Sequence, residues 1–136
     1  MREITVSATI DQVKRVTNFV NMQLAELGCS DQVRIQLDVA IDELFGNIAR
    51  YAYKPNTGMA TVRVDVEEHP LNVIITFIDH GKPYDPLEAE IPDTTTLPVR
   101  ERPIGGLGLF MVKKTMDDIS YIYENGMNIL TIRKKI

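Results

Sequence analysis

The sequence predicts a two-layer α+β sandwich: a mostly antiparallel mixed sheet with helices on one face. Three observations carry that prediction. Strand-like alternation comes in adjacent pairs, helical periodicity comes in two consecutive segments near the start, and the elements run β-α-α-β-β-loop-α-β-β. Strands joined by short turns favour antiparallel neighbours, and clustered helices bury their apolar stripes against one side of such a sheet.

Taken in order, residues 2–10 alternate as Ile4, Val6, Ala8 and Ile10, which is a strand pattern. Residues 11–27 read as a helix with Asp11 placed to cap it. Val13, Val16, Phe19, Val20, Leu24 and Leu27 form its apolar stripe, and Gly28 is its stop signal. Ser30 or Asp31 caps a longer second helix running to about Tyr53, ended by Pro55 and the turn Asn56-Thr57-Gly58. Two strands follow, 59–68 and 71–79, joined at His69-Pro70. In the first, Thr61, Arg63, Asp65 and Glu67 alternate with Val62, Val64 and Val66, so one face meets water. Residues 80–104 lose all periodicity and hold Pro83, Pro86, Pro92, Pro98 and Pro103. Such a stretch inside one domain is a lid, a binding loop or disorder. A helix from about Gly106 to Met116 and two strands, 118–124 and 127–135, complete the chain, with Asn125-Gly126 as a hairpin turn.

The 136 residues fit a single domain, 1–136, long enough to bury a core. A hydrophobic fraction of 44% and a charged fraction of 25% are those of a soluble globular protein. The net charge of −4 argues against a non-specific nucleic-acid binder. No apolar run approaches the roughly 18 residues of a membrane span, and the start lacks the apolar segment of a signal peptide. Cys29 is the only cysteine, which rules out an internal disulfide and reads as a structural thiol. A cytoplasmic location follows by elimination. His69 and His80 fall in loops, without metal-ligand spacing.

Three short polar signals stand out. On the second helix, at about 100° per residue, Gln36, Glu43, Asn47 and Arg50 share one stripe, roughly 120° from the apolar stripe of Leu37, Ile41, Leu44 and Ile48. A carboxamide oxygen there can ligate a hard cation such as Mg2+, and the carboxylate one turn away can accept a proton. The competing reading is a solvated helix face. On the third strand, Val73, Ile75, Phe77 and Asp79 point the same way, so Asp79 is aimed inward just before Gly81. An inward acid needs a hydrogen-bond partner, which an adenine amine supplies, with Gly81 leaving room for the ring. The competing reading is an aspartate that starts a turn. Finally, Gly105-Gly106-Leu107-Gly108 opens a helix, where bare N–H groups and the helix dipole favour an anion; a hinge with tight helix packing is the alternative. No Gly-Lys-Ser/Thr follows, so this is not a P-loop, and it follows a loop rather than the strand of a Rossmann turn. Arg100 and Arg102 lie just upstream and could reach a terminal phosphate from the loop; ordinary solvated charges are the competing, and singly the better, reading.

Together these segments resemble the GHKL ATPases (gyrase, the heat-shock chaperone, histidine kinases and the MutL mismatch-repair proteins), and more closely the anti-sigma factors that are serine protein kinases. Asp42-Glu43-Leu44-Phe45-Gly46-Asn47-Ile48-Ala49-Arg50-Tyr51-Ala52-Tyr53 matches the family's N box. Asp79-His80-Gly81-Lys82-Pro83-Tyr84-Asp85 matches its first glycine box, and Gly105-Gly106-Leu107-Gly108-Leu109-Phe110-Met111-Val112 its second. The resemblance covers nearly the whole chain. It implies the Bergerat ATP-binding fold, with residues 80–104 as the ATP lid, and ATP and Mg2+ as cofactors. It makes Asn47 the metal ligand, Glu43 the general base, and Asp79 the partner of the adenine amine beside Gly81. Gly106 and Gly108 become phosphate contacts and Arg102 a lid contact; Arg50, Gly105 and Asn128 are counted with the nucleotide-binding residues. It further implies a homodimer that binds a sigma factor and phosphorylates an anti-sigma factor antagonist on serine. A nucleotide-responsive binding module without phosphotransfer is the alternative. A detached histidine-kinase catalytic domain is a third reading, and the chain has no helix carrying a phospho-accepting histidine for it. Two positions depart from the pattern. Tyr51 stands where many relatives have histidine, and Met127-Asn128 where many have Gly-Thr, although Asn128 can still donate and accept.

Overall fold

The computed structural model describes residues 1–87 and 106–136, the side chains of residues 106 and 107 excepted. Its strands are β1 (Arg2–Ser7), β2 (Met59–Glu67), β3 (Asn72–Asp79), β4 (Asp118–Glu124) and β5 (Met127–Lys135); its helices are α1 (Val13–Ala25), α2 (Asp31–Asn47) and α3 (Gly106–Thr115). A 3-10 turn, Ile10–Gln12, precedes α1, and a π-helical turn, Ile48–Ala52, extends α2.

The sheet order is β1-β2-β3-β5-β4. Every pairing is antiparallel, so the expected mixed character is not found among the described strands. The connectivity explains this. β4 runs in the direction of β3, but the tight Asn125-Gly126 hairpin returns β5 between them. Asn125 at φ 54 and Gly126 at φ 77 give the two left-handed residues that a two-residue hairpin of the right twist requires.

Cross-strand rows show how the sequence alternation becomes a core. Val64, Ile75, Ile132 and Ile119 stand side by side across the sheet, as do Val62, Phe77, Leu130 and Tyr121. These rows face the helices. α2 lies centrally over them, burying Leu37, Ala40, Ile41, Leu44 and Phe45, with α1 and α3 packed on either of its sides. α1 contributes Val16, Val20 and Leu24, and α3 contributes Leu109, Val112 and Met116. Full burial of each such side chain is worth about 1.5–3 kcal/mol, which is why the amphipathic faces decide the layer arrangement. The row beyond the apolar ones is polar: Asp79 pairs directly with Asn128.

Element ends depart from expectation in small ways. β1 stops at Ser7 rather than Ile10, because its partner β2 begins at Met59; Ala8 N–H then bonds the Gly58 carbonyl at 2.8 Å. Asp11 lies inside the 3-10 turn, where its carboxylate accepts from the Thr9 hydroxyl and the Gln12 amide rather than capping α1. Of the two possible caps for α2, Ser30 does the work, its Oγ accepting from Val33 N–H at 3.2 Å. Gly28, at φ +68, ends the α1 turn in the left-handed region as its position implied. Among the described residues no helix is long and apolar enough to cross a membrane.

Candidate nucleotide-binding site

The end of α2 holds the first two polar groups. Glu43 is buried, at 9% exposure, and Asn47 Nδ2 donates to its Oε1 at 3.4 Å. That bond turns the Asn47 amide nitrogen toward Glu43 and leaves its carbonyl oxygen as a ligand for something else. Burial pushes the Glu43 carboxyl above its ordinary value, against the opposing pull of the Asn47 hydrogen bond and the Arg50 charge. The solvated-face reading of this stripe therefore fails for Glu43.

Arg50 is a correction. A regular helix would have kept it on the stripe with Asn47, but the π-helical turn over Ile48–Ala52 carries more residues per turn. Arg50 consequently falls short of the stripe and is exposed. Its guanidinium folds over Gly46, and it lines a separate cleft with Asp11, Lys14 and Asp42. The same turn brings Tyr51 and Ala52 instead to a cavity beside Asn47 and Asp79.

That cavity has a volume of about 420 Å³ and opens between α2 and the sheet end. Its apolar walls are Leu44, Ile48, Phe77, Leu130, Pro83 and Pro86, with the rings of Tyr51, Tyr84 and Tyr121. Asn47, Asp79, Lys82 and Asn128 are its polar lining. A largely apolar cleft of this size with a few convergent polar groups is the usual form of a small-molecule site.

Asp79, 4% exposed, is aimed inward as the strand alternation predicted. Its Oδ1 accepts from Gly81 N–H at 2.8 Å and from Asn128 Nδ2 at 2.9 Å. The turn-starting role and the inward role are thus both real, and they use one oxygen. Among the described residues no hydrogen bond is made to Oδ2, and Asp79 lines the cavity. Gly81 has a different reason to be glycine than expected. A Cβ there would lie 2.2 Å from the Ala52 carbonyl oxygen, which also accepts from Lys82 N–H at 3.0 Å. The space beside Gly81 is taken by the end of the π-helical turn.

Gly108 sits at the start of α3 and also meets protein: a Cβ would lie 2.2 Å from Glu43 Oε2. The glycine lets α3 approach the buried carboxylate, so the hinge-and-packing reading holds at this position. The backbone of Gly106 opens α3. Gly105, Arg100, Arg102 and the rest of 88–104, expected as part of a lid, lie outside the described residues.

Sequence reasoning missed Tyr53 and Tyr121. The Tyr53 hydroxyl donates to the Met59 carbonyl at 2.5 Å and accepts from His80 N–H at 2.7 Å, stapling the π-helical turn to the ends of β2 and β3. Tyr121 donates to Asn128 Oδ1. The hairpin register could have revealed it, since Tyr121 opposite Leu130 lies diagonal to Asn128 on the same sheet face.

The donor set is compatible with Mg2+ held mainly by water and phosphate oxygens, with one protein carboxamide beside an acid. It is not that of a metal held by protein alone: among the described residues no group of three histidine, cysteine, aspartate or glutamate side chains converges.

Comparison with known proteins bears on the same residues. The family model of the histidine kinase-like ATPase domain matches residues 6–134. A serine-protein kinase RsbW of Bacillus cereus is 32% identical over 97 residues, covering 69% of this chain and 59% of that protein. An RsbW of Bacillus anthracis is 31% identical over the same length. The chain thus spans 59% of the length of these curated relatives. Among solved structures, the RsbU and RsbW domains of a Mycobacterium tuberculosis protein superpose with a TM-score of 0.64 at 16% identity, covering 99% of this chain and 32% of that one, a likeness of fold. With its sandwich architecture and a model match across nearly its whole length, the chain belongs to the histidine kinase-like ATPase domain family.

Proposed function

We propose that this chain binds ATP with Mg2+ and transfers the γ-phosphoryl group to a serine hydroxyl of an anti-sigma factor antagonist, and that it acts as an anti-sigma factor. The observation that carries the reading is the single cavity lined at once by Asp79 and Asn47, with Glu43 hydrogen-bonded to Asn47. The match to serine-protein kinases supports the reaction class.

In this reading the base lies against the apolar walls with its amine on Asp79 Oδ2, and the phosphates run toward α2 and the start of α3, near Gly105, Gly106 and Gly108. Asn47 Oδ1 holds Mg2+, which neutralises phosphate charge when bound. Glu43 takes the proton of the serine hydroxyl. The serine oxygen then bonds to the γ-phosphorus, and the bond from that phosphorus to the bridging oxygen breaks, releasing ADP. A base with a carboxyl raised by burial is suited to this step, because it holds the proton more strongly than an exposed carboxylate would. Positioning and charge neutralisation supply the rest. Arg102 contacts the terminal phosphate from a lid over 80–104. Arg50 lines a separate cleft and is given no nucleotide contact in this reading. The chain works in the cytoplasm as a homodimer that also holds a sigma factor.

Titration calorimetry with ATP, ADP and Mg2+ tests the site before any partner is in hand. ATP binds the unsubstituted chain, and Asp79→Asn weakens it by at least about tenfold, the worth of one hydrogen bond to a charged group. Equal affinity in the Asp79 variant removes the adenine assignment. Binding without phosphotransfer to any antagonist protein would instead favour a nucleotide-responsive binding module.

A further inference from the structure

Asn128 is 6% exposed, and its carboxamide is engaged on every side by protein. Nδ2 donates to Asp79 Oδ1 at 2.9 Å, to the Lys82 carbonyl at 2.8 Å and, at 3.4 Å, to the Gly81 carbonyl. Oδ1 accepts from Tyr84 N–H at 3.1 Å and from the Tyr121 hydroxyl. Only one orientation of the amide is possible. The reverse would set its oxygen against a carboxylate and two carbonyls, and its N–H groups against two donors. Asn128 lines the cavity, and its amide is at the same time hydrogen-bonded within the protein. It ties the end of β3, the segment 81–84 and β4 into one unit at the cavity floor.

The two oxygens of Asp79 are made unequal by this. Oδ1 holds both the Gly81 and the Asn128 bonds, and among the described residues Oδ2 holds none. We propose that Asn128 is a positioning residue that sets the base selectivity of the cavity, by fixing Asp79 so that Oδ2 alone is presented as an acceptor to a base bearing an exocyclic amine. This rests on the nucleotide reading above. An adenine amine donates to Oδ2, whereas a 6-oxo base sets an oxygen against it. Without Asn128 the carboxylate retains, among the described residues, only the local Gly81 bond and can turn. The segment beyond is held by Tyr84 N–H on the Tyr121 hydroxyl, at 3.2 Å, and by Lys82 N–H on Ala52. The apolar walls and tyrosine rings would still take a purine ring, so selectivity falls further than affinity for the ring.

The test compares ATP and inosine triphosphate by calorimetry in the unsubstituted chain, Asn128→Ala and Tyr121→Phe, and follows amide hydrogen exchange at Tyr84 without nucleotide. The unsubstituted chain prefers ATP by at least about tenfold. Asn128→Ala cuts that ratio about tenfold, changes affinity for inosine triphosphate less than about threefold, and speeds Tyr84 exchange about tenfold. Tyr121→Phe keeps the aromatic wall, removes one donor to Asn128, and lowers the ratio by about threefold. An unchanged ratio in Asn128→Ala overturns the inference, as does an equal loss of both nucleotides, which is what loosened structure alone would give. If Asn128→Ala does not fold, an unchanged ratio in Tyr121→Phe overturns it. If the unsubstituted chain binds no ATP, the nucleotide reading itself fails and the selectivity fails with it; if it binds ATP with the ratio untouched by either variant, only the role of Asn128 fails.

Discussion

Glu43 shows how one side chain carries opposite demands. Its burial beneath α3 raises its proton affinity, which suits a general base but costs stability when the group is ionised. The sign follows from linkage. A carboxyl raised above its ordinary 4.5 in the folded state favours folding while protonated, below that value, and the contribution is lost as pH rises through the folded pKa. Glu43→Gln removes the titration. The variant is therefore expected to melt at or above the temperature of the unsubstituted chain at neutral pH, with the advantage shrinking below pH 4.5, while phosphotransfer falls at least about 100-fold and ATP still binds. Thermal melts across pH and a phosphotransfer assay check both halves; turnover at the normal rate would end the base assignment. Glu43, Asn47 and Asp79 were legible because strand and helix periods alone decide which way they point. Arg50 and Asn128 were not. The first depends on a local change of helix type, the second on five hydrogen bonds, four of them made to segments distant in sequence.

Elements were legible wherever a period or a turn residue marked them: the paired strands, the α1 stripe, Gly28 and the Asn125-Gly126 hairpin. The π-helical turn over Ile48–Ala52 left no such mark. It forms where Tyr53, hydrogen-bonded to Met59 and His80, and Ala52, bonded from Lys82, fasten the end of the helix to the sheet. Two glycines report on how tightly the elements meet. Gly81→Ala drives a methyl into the Ala52 backbone carbonyl, which has no side-chain freedom to yield, so urea unfolding should show a loss of about 1–3 kcal/mol. An unchanged midpoint would mean that the junction is looser than its geometry. Gly108→Ala meets the Glu43 carboxylate instead, a group that can shift. Its stability should change little, while displacing the base by about 1 Å costs roughly 100-fold in turnover. If the order were reversed, with stability lost and turnover kept, Gly108 would serve packing alone.

At the scale of the molecule, the layer order was legible because apolar faces leave few ways to bury themselves. The strand order was not, since nothing local says that β5 returns between β3 and β4. That return creates the site, because it sets Asn128 beside Asp79 and Tyr121 beside both. The cavity is thus assembled from α2, the π-helical turn, β3, the segment 82–86, β4 and β5, and no part of it survives in an unfolded chain. A ligand that binds only the folded form stabilises it by mass action, by about 2.7 kcal/mol at a hundred times its dissociation constant. For a domain of this length each kcal/mol moves the melting temperature by roughly 3–5 °C, so ATP with Mg2+ should raise it by roughly 8–13 °C. Asp79→Asn, at about tenfold weaker affinity, should lose about half of that rise at the same ATP concentration, because the affinity falls while the fold is kept. Omitting Mg2+ should shrink the rise without abolishing it, because the base contacts are independent of the metal. A melt that ignores millimolar ATP and Mg2+ would show that the cavity serves another ligand.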